Sequence, residues 1–105
     1  MNSEIAFRMQ LKPGCAAEYE RRHNEIWPDL RQLLVDSGIR DYSIFLDDET
    51  LALFAVMHVR PDSDRKALAG QPLMGSWWNY MANLMEVRSD NRPIEWPLRR
   101  VFHLP

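Results

Sequence analysis

The stretch Glu4-Ile5-Ala6-Phe7-Arg8-Met9-Gln10-Leu11-Lys12-Pro13-Gly14 decides the fold class. Ile5, Phe7, Met9 and Leu11 alternate with Glu4, Ala6, Arg8 and Gln10, the period of two that marks a half-buried strand. Pro13-Gly14 stops it. From Cys15 to Asp36 the period lengthens to that of a helix, with Tyr19, Ile26, Leu30, Leu33 and Leu34 on or near one side. A strand handing over to a helix within a few residues points to an α+β protein.

Pro28 interrupts the helical pattern, because it lacks a backbone N–H and disfavours α geometry at Trp27. The helix either kinks near Trp27 or breaks, with Pro28 opening a second segment and Asp29 in its first turn. Ser37-Gly38 ends it, Gly38 serving as a left-handed cap. Ile39 to Leu46 reads as a strand in which Tyr42, Ile44 and Leu46 share a face, and Asp47 to Thr50 as a polar turn. Leu51 to Arg60 reads as the second strand of a hairpin. Its first half is apolar on both faces, as a strand covered from two sides would be. Beyond Pro61 the sequence predicts a short helix from Ser63 to Ala69, a loop from Gly70 to Gly75, and a helix from Ser76 to Glu86 capped by Ser76. After a loop at Asp90 to Pro93, Leu98 to Leu104 reads as a last strand.

The resulting order, β-α-β-β-α-β, is the ferredoxin-like split βαβ arrangement, an antiparallel sheet with helices on one face. Apolar residues on the other face need a cover. A second copy of the chain, face to face in a dimeric α/β barrel, supplies it most simply.

Composition narrows the partners. The 105 residues are read as one domain, with 46% hydrophobic and 27% charged residues. The 13 basic and 15 acidic side chains, net charge −2, are interspersed and form no stripe for a phosphate backbone, so no nucleic acid is expected. The longest apolar run, Leu51 to Met57, is too short to span a bilayer, and Met1-Asn2-Ser3-Glu4 does not begin a signal peptide. The single Cys15 excludes an internal disulfide and fits a reducing compartment, the cytoplasm. No phosphate-cradling glycine motif, nucleophile elbow or zinc-ligand cluster occurs, so neither a metal nor a cofactor is expected.

The chemistry-bearing residues concentrate in two places. On a helix, Tyr19, His23 and Trp27 project from one face, and Trp77-Trp78-Asn79-Tyr80 supplies a second aromatic group. Rings stack on the C–H faces of a sugar, while a titratable group serves its hydroxyls. His23, with an ordinary pKa of ~6.5, exchanges protons at neutral pH. Against this stands the reading of a surface histidine between Arg22 and Asn24. Trp77 and Trp78 point about 100° apart and cannot share one narrow stripe. Either one enters the core while the other lines a pocket, or both pack in an interface. Tyr42 either reaches a pocket or caps the sheet edge. His58 and His103 are read as structural, and Arg21-Arg22 as part of a solvated charge lattice with Glu20 and Glu25.

Met9-Gln10, Glu18-Tyr19 with Arg21-Arg22-His23-Asn24 and Ile26-Trp27-Pro28, Trp77-Trp78 with Tyr80-Met81, and Val101-Phe102 with Leu104-Pro105 resemble the L-rhamnose mutarotases along nearly the whole chain. The resemblance implies a small cytoplasmic homodimeric enzyme of ferredoxin-like fold that interconverts the α and β anomers of L-rhamnose. By motif position it implies His23 as proton donor and Tyr19, Tyr42, Trp77 and Trp78 as sugar-contacting residues. Two rival readings remain: a non-catalytic sugar- or metabolite-binding module, and a dimeric ferredoxin-like oxygenase or haem-handling protein.

Overall fold

The computed structural model describes residues 2–63 and 65–105. Strand β1 (Ser3–Gln10) is followed by helices α1 (Ala16–Asn24) and α2 (Pro28–Asp36) and the hairpin β2 (Ile39–Leu46) and β3 (Ala52–Val59). Then come α3 (Arg65–Leu68), α4 (Pro72–Met81), a 3₁₀ turn at Ala82–Leu84 and the two-residue strand β4 (Trp96–Pro97). The sheet runs β2-β3-β1-β4 with every neighbour antiparallel. Because β1 and β2 both oppose β3, they are parallel to each other with β3 between them, which is the split βαβ connection anticipated from the order of elements.

Alternation on β1 and β3 sets the two faces. Phe7 pairs with Ala55 and Met9 with Leu53, and these side chains are buried. They form one core with Leu30 of α2 and Met74, Trp77 and Met81 of α4. Burying a side chain such as Leu30 contributes roughly 1.5–3 kcal/mol. The opposite face carries Arg8, Phe54 and Phe45, and Phe45 is 61% exposed.

The helix breaks at Pro28 instead of kinking. Trp27 sits at ψ 129°, outside the α region as the ring of the following proline demands, and Pro28 takes the first position of α2 with Asp29 in its first turn. Gly38 has φ +87°, and a Cβ there would meet Arg60 Nε and Ser63 Cβ at 3.0 Å, so backbone and space both require glycine. In β2 a bulge lies between Arg40 and Ser43, where Asp41 takes φ +49°. Without that extra residue, strict alternation from Ile39 would turn Ile44 and Leu46 to the wrong face. With it, Ile39, Ile44 and Leu46 all face the helices, each opposite a buried β3 residue. The hairpin turn is held by Asp47, whose carboxylate accepts from Glu49 N (3.0 Å) and Thr50 Oγ1 (2.9 Å). Leu51 at φ +63° delays β3 to Ala52.

Three sequence expectations are corrected. Helix α4 starts at Pro72, so neither the loop from Gly70 to Gly75 nor a Ser76 cap exists. Pro72 is preset for the first helical turn, and Met74, Trp77 and Met81 bury one stripe strongly enough to carry Gly75 inside the helix. The helix also stops at Met81, because the chain turns to hydrogen-bond β1: Lys12 N donates to Leu84 O and Glu86 N to Gln10 O. The last strand is Trp96–Pro97; beyond it only Leu98 N continues the pairing, donating to Ala6 O at 3.0 Å. Val101, Phe102 and Leu104 are 77–81% exposed. Helix α3 is shorter than the predicted Ser63 to Ala69, and Asp64 lies outside the described residues. Among the described residues, no helix is long and apolar enough to cross a membrane.

Candidate active site

His23 lies in the last turn of helix α1, and the ring of Tyr19 one turn earlier lies 4.4 Å from the imidazole, centroid to centroid. Trp77 of α4 meets His23 edge-on at 5.5 Å. Behind this pair, Trp27 packs edge-on against Trp77 at 5.0 Å, and Tyr80 lies within 6 Å of both. The break at Pro28 thus turns Trp27 away from its one-face alignment with Tyr19 and His23. It backs Trp77 instead.

A cavity of about 1040 Å³ opens between the helices and the covered face of the sheet. Tyr19, His23, Tyr42, Trp77 and Trp78 all line it. Trp77 is buried and Trp78 half-buried, so α4 presents both indoles to the space although they diverge along the helix. Tyr42 reaches the cavity and does not merely cap the edge, because the bulge before it sets its direction.

Electrostatics differ among these groups. His23 is half-buried, and its ring Nδ1 lies 3.0 Å from Tyr19 O. A carbonyl only accepts, so Nδ1–H donates and Nε2 carries the exchangeable proton. Desolvation lowers the imidazole pKa below the usual 6.5, partly opposed by the bond to Tyr19. Burial raises the Tyr19 phenol far above its ordinary value, with the neighbouring Tyr42 adding to it. Tyr42 is pushed up to about 12, by desolvation first and then by the charge of Glu95, with Arg65 opposing. Tyr42 is 39% exposed overall, whereas Tyr19 is only 7% exposed. Both phenols stay protonated near neutral pH and serve as hydrogen-bonding groups.

Charged residues on α1 split into two roles. Arg21 binds Glu18 at 2.7 Å and also Glu25, a surface lattice that holds the Glu18 carboxyl down to about 2. Arg22 does something the sequence did not suggest. It bonds Glu18 (2.7 Å), Tyr80 O (2.6 Å) and Asn83 Oδ1 (3.1 Å), and its guanidinium lies 4.3 Å from the Tyr80 ring centroid. It ties α1 to α4 and so fixes the two walls of the cavity relative to each other. His58 lies beside Glu4 at 3.5 Å, on the sheet. Sequence reasoning also missed Glu95, which lines the cavity from the segment just before β4. A lone glutamate between Ile94 and Trp96 carries no local signal of such a place.

Residues 4–104 match the family model for L-rhamnose mutarotase. A protein of Acidiphilium cryptum named L-rhamnose mutarotase is 57% identical over 102 residues, covering 97% of this chain and 98% of that protein. One of the same name from Jannaschia sp. is 52% identical over 97% of this chain and 98% of its own length. The crystal structure of an L-rhamnose mutarotase from Formosa agariphila superposes with a TM-score of 0.90 at 42% identity, covering 98% of this chain and 99% of that one.

Proposed function

Because this chain belongs to the L-rhamnose mutarotase family, we propose that it is an isomerase that interconverts the α and β anomers of L-rhamnose. The observation that carries this reading is the convergence of His23 with the rings of Tyr19 and Trp77 in a cavity that Tyr42 and Trp78 complete. Aromatic walls take the C–H face and the methyl group of a 6-deoxy sugar, and the phenols and indoles meet its hydroxyls.

His23 acts as the general acid. As the C1–O5 bond of the pyranose breaks, the imidazolium delivers its Nε2 proton to the ring oxygen while the anomeric hydroxyl loses its own proton to an acceptor. The product is the open aldehyde. Rotation about C1–C2 presents the other carbonyl face, and the reverse transfers close the ring on it. Each positioned acid or base contributes typically 10²–10⁴-fold. The only exchanges between protein and sugar are protons, while the C1–O5 bond breaks and re-forms within the sugar. The lowered pKa makes the imidazolium a stronger acid, at the cost of a smaller protonated fraction at neutral pH.

A homodimer with the two open sheet faces together, as a ferredoxin-like α/β barrel, accounts for the exposed Phe45 and for the uncovered Val101, Phe102 and Leu104. A free-sugar substrate and a lone cysteine accord with the cytoplasm. The reading is tested by NMR saturation transfer between the anomers of L-rhamnose and of related free sugars, with the protein present in catalytic amount. Exchange well above the solution rate, strongest for L-rhamnose, is expected. Saturable binding with exchange at the solution rate would make the protein a sugar-binding module.

A further inference from the structure

Glu95 and Arg65 form an ion pair beside β4, and Glu95 lines the same cavity as Tyr42. Glu95 precedes β4, and its backbone is fixed on both sides. Ile94 N donates to Glu86 O at 3.3 Å, and Trp96 pairs with Arg8, whose guanidinium lies 4.0 Å from the indole centroid. The carboxylate is fixed too. Arg65 Nη2 reaches Glu95 Oε1 at 3.4 Å, and the same guanidinium lies 5.3 Å from the centroid of the buried Phe7 ring. Glu95 lines the cavity that holds His23 and Tyr42, and Arg65 does not, so the arginine grips the carboxylate from outside the cavity wall. Among the described residues Oε2 has no hydrogen-bond or ion-pair partner, so its lone pairs face a ligand.

A sugar both donates and accepts at every hydroxyl, and the aromatic walls supply mainly donors: two phenols and two indole N–H groups. Glu20, Asp41 and Asp48 also line the cavity. Among the described residues, none of these three is in an ion pair, whereas Glu95 is anchored by a cation and acts on the Tyr42 phenol. Glu95 is 37% exposed in the free protein, and a bound sugar lacking the matching hydroxyl would cover its carboxylate without replacing the water it loses.

We propose that Glu95, held by Arg65, is a specificity-determining residue that accepts a hydrogen bond from one non-reacting hydroxyl of the sugar. The proposal rests on the mutarotase reading above. It places hydroxyl recognition on the β4 side of the cavity and proton transfer at His23 on the helical side.

The test measures saturable anomer exchange by NMR for wild type, Glu95→Gln and Arg65→Met, on L-rhamnose and on its 2-, 3- and 4-deoxy analogues. With L-rhamnose, Glu95→Gln is expected to raise KM by about tenfold or more, the loss falling on KM rather than kcat. Arg65→Met shifts KM in the same direction. On the one analogue that lacks the recognised hydroxyl, wild type and Glu95→Gln should become equal, an effect that a merely structural role cannot produce. Unaltered KM for Glu95→Gln, a loss confined to kcat, or the same penalty on all four sugars overturns the assignment. Wild-type exchange of L-rhamnose is the internal control. Without it the mutarotase reading fails and the proposal falls with it. With it and an unaltered Glu95→Gln KM, only the role of Glu95 fails.

Discussion

His23 combines two features that pull against each other. Burial lowers its pKa, so less imidazolium exists at pH 7, yet the imidazolium that remains gives up its proton more readily. If that form is the acid, kcat/KM should decline as pH rises through an apparent pKa below 6.5, and His23→Gln should lack this limb. A rate that climbs over the same interval would assign His23 the part of base. The neighbouring indoles divide packing from contact. Trp77 is 5% exposed and touched by His23, Trp27 and Tyr80, so Trp77→Ala should cost about 3–5 kcal/mol in a denaturant melt. Trp78 is half-buried with Arg92 5.3 Å from its ring centroid, and Trp78→Phe should raise KM with little change in stability. Spacing alone brought His23 and Tyr19 together, because four residues on a helix fix their relation. Glu95 was invisible for the opposite reason. Its neighbours in the cavity come from distant parts of the chain, and only the pairing of β4 with β1 brings them close.

Elements with a local cause were legible. Pro28 breaks the helix through its own ring, and Gly38 ends it through a backbone angle that other residues resist. Gly38→Ala should therefore destabilise the protein by at least about 1–2 kcal/mol, the cost of a left-handed backbone for an L-residue, read as a lowered denaturant midpoint. The contact of its Cβ with Arg60 and Ser63 adds to this. Elements with a distant cause were misread. Gly70 and Gly75 resemble a loop, and Ser76 resembles a cap, but the packing of Met74 and Trp77 extends α4 across them. The alternation of Leu98 to Leu104 is a true strand pattern, yet a strand needs a neighbour, and from Trp96 onward the backbone pairs with β1 only through Trp96, Pro97 and the Leu98 amide. The bulge at Asp41 was equally hidden. Its effect, turning Tyr42 toward the helices, coincided with the face that simple alternation from Leu46 had assigned.

Among the described residues one side of the sheet is left uncovered. Phe45 and the apolar residues after Leu98 stand exposed on a protein whose other face is closely packed. A second copy that covers them predicts a dimer in sedimentation at micromolar concentration. Phe45→Glu, which sets a charge at that face, should shift the species toward monomer. A compact wild-type monomer at that concentration would contradict the face-to-face barrel. In such a dimer the segment predicted as a strand from Leu98 to Leu104 would have a partner copy to pair with. Its apolar positions match a surface that this chain alone does not provide.

The central claim is that this cavity exchanges the anomers of L-rhamnose by proton transfer from His23. Saturation transfer between the α and β signals, recorded on wild type and His23→Gln side by side, tests it most directly. The account predicts strong transfer in wild type and a fall of about 10²-fold or more in the variant, with the fold and sugar binding retained. Well-folded His23→Gln protein that exchanges the anomers at the wild-type rate would contradict it.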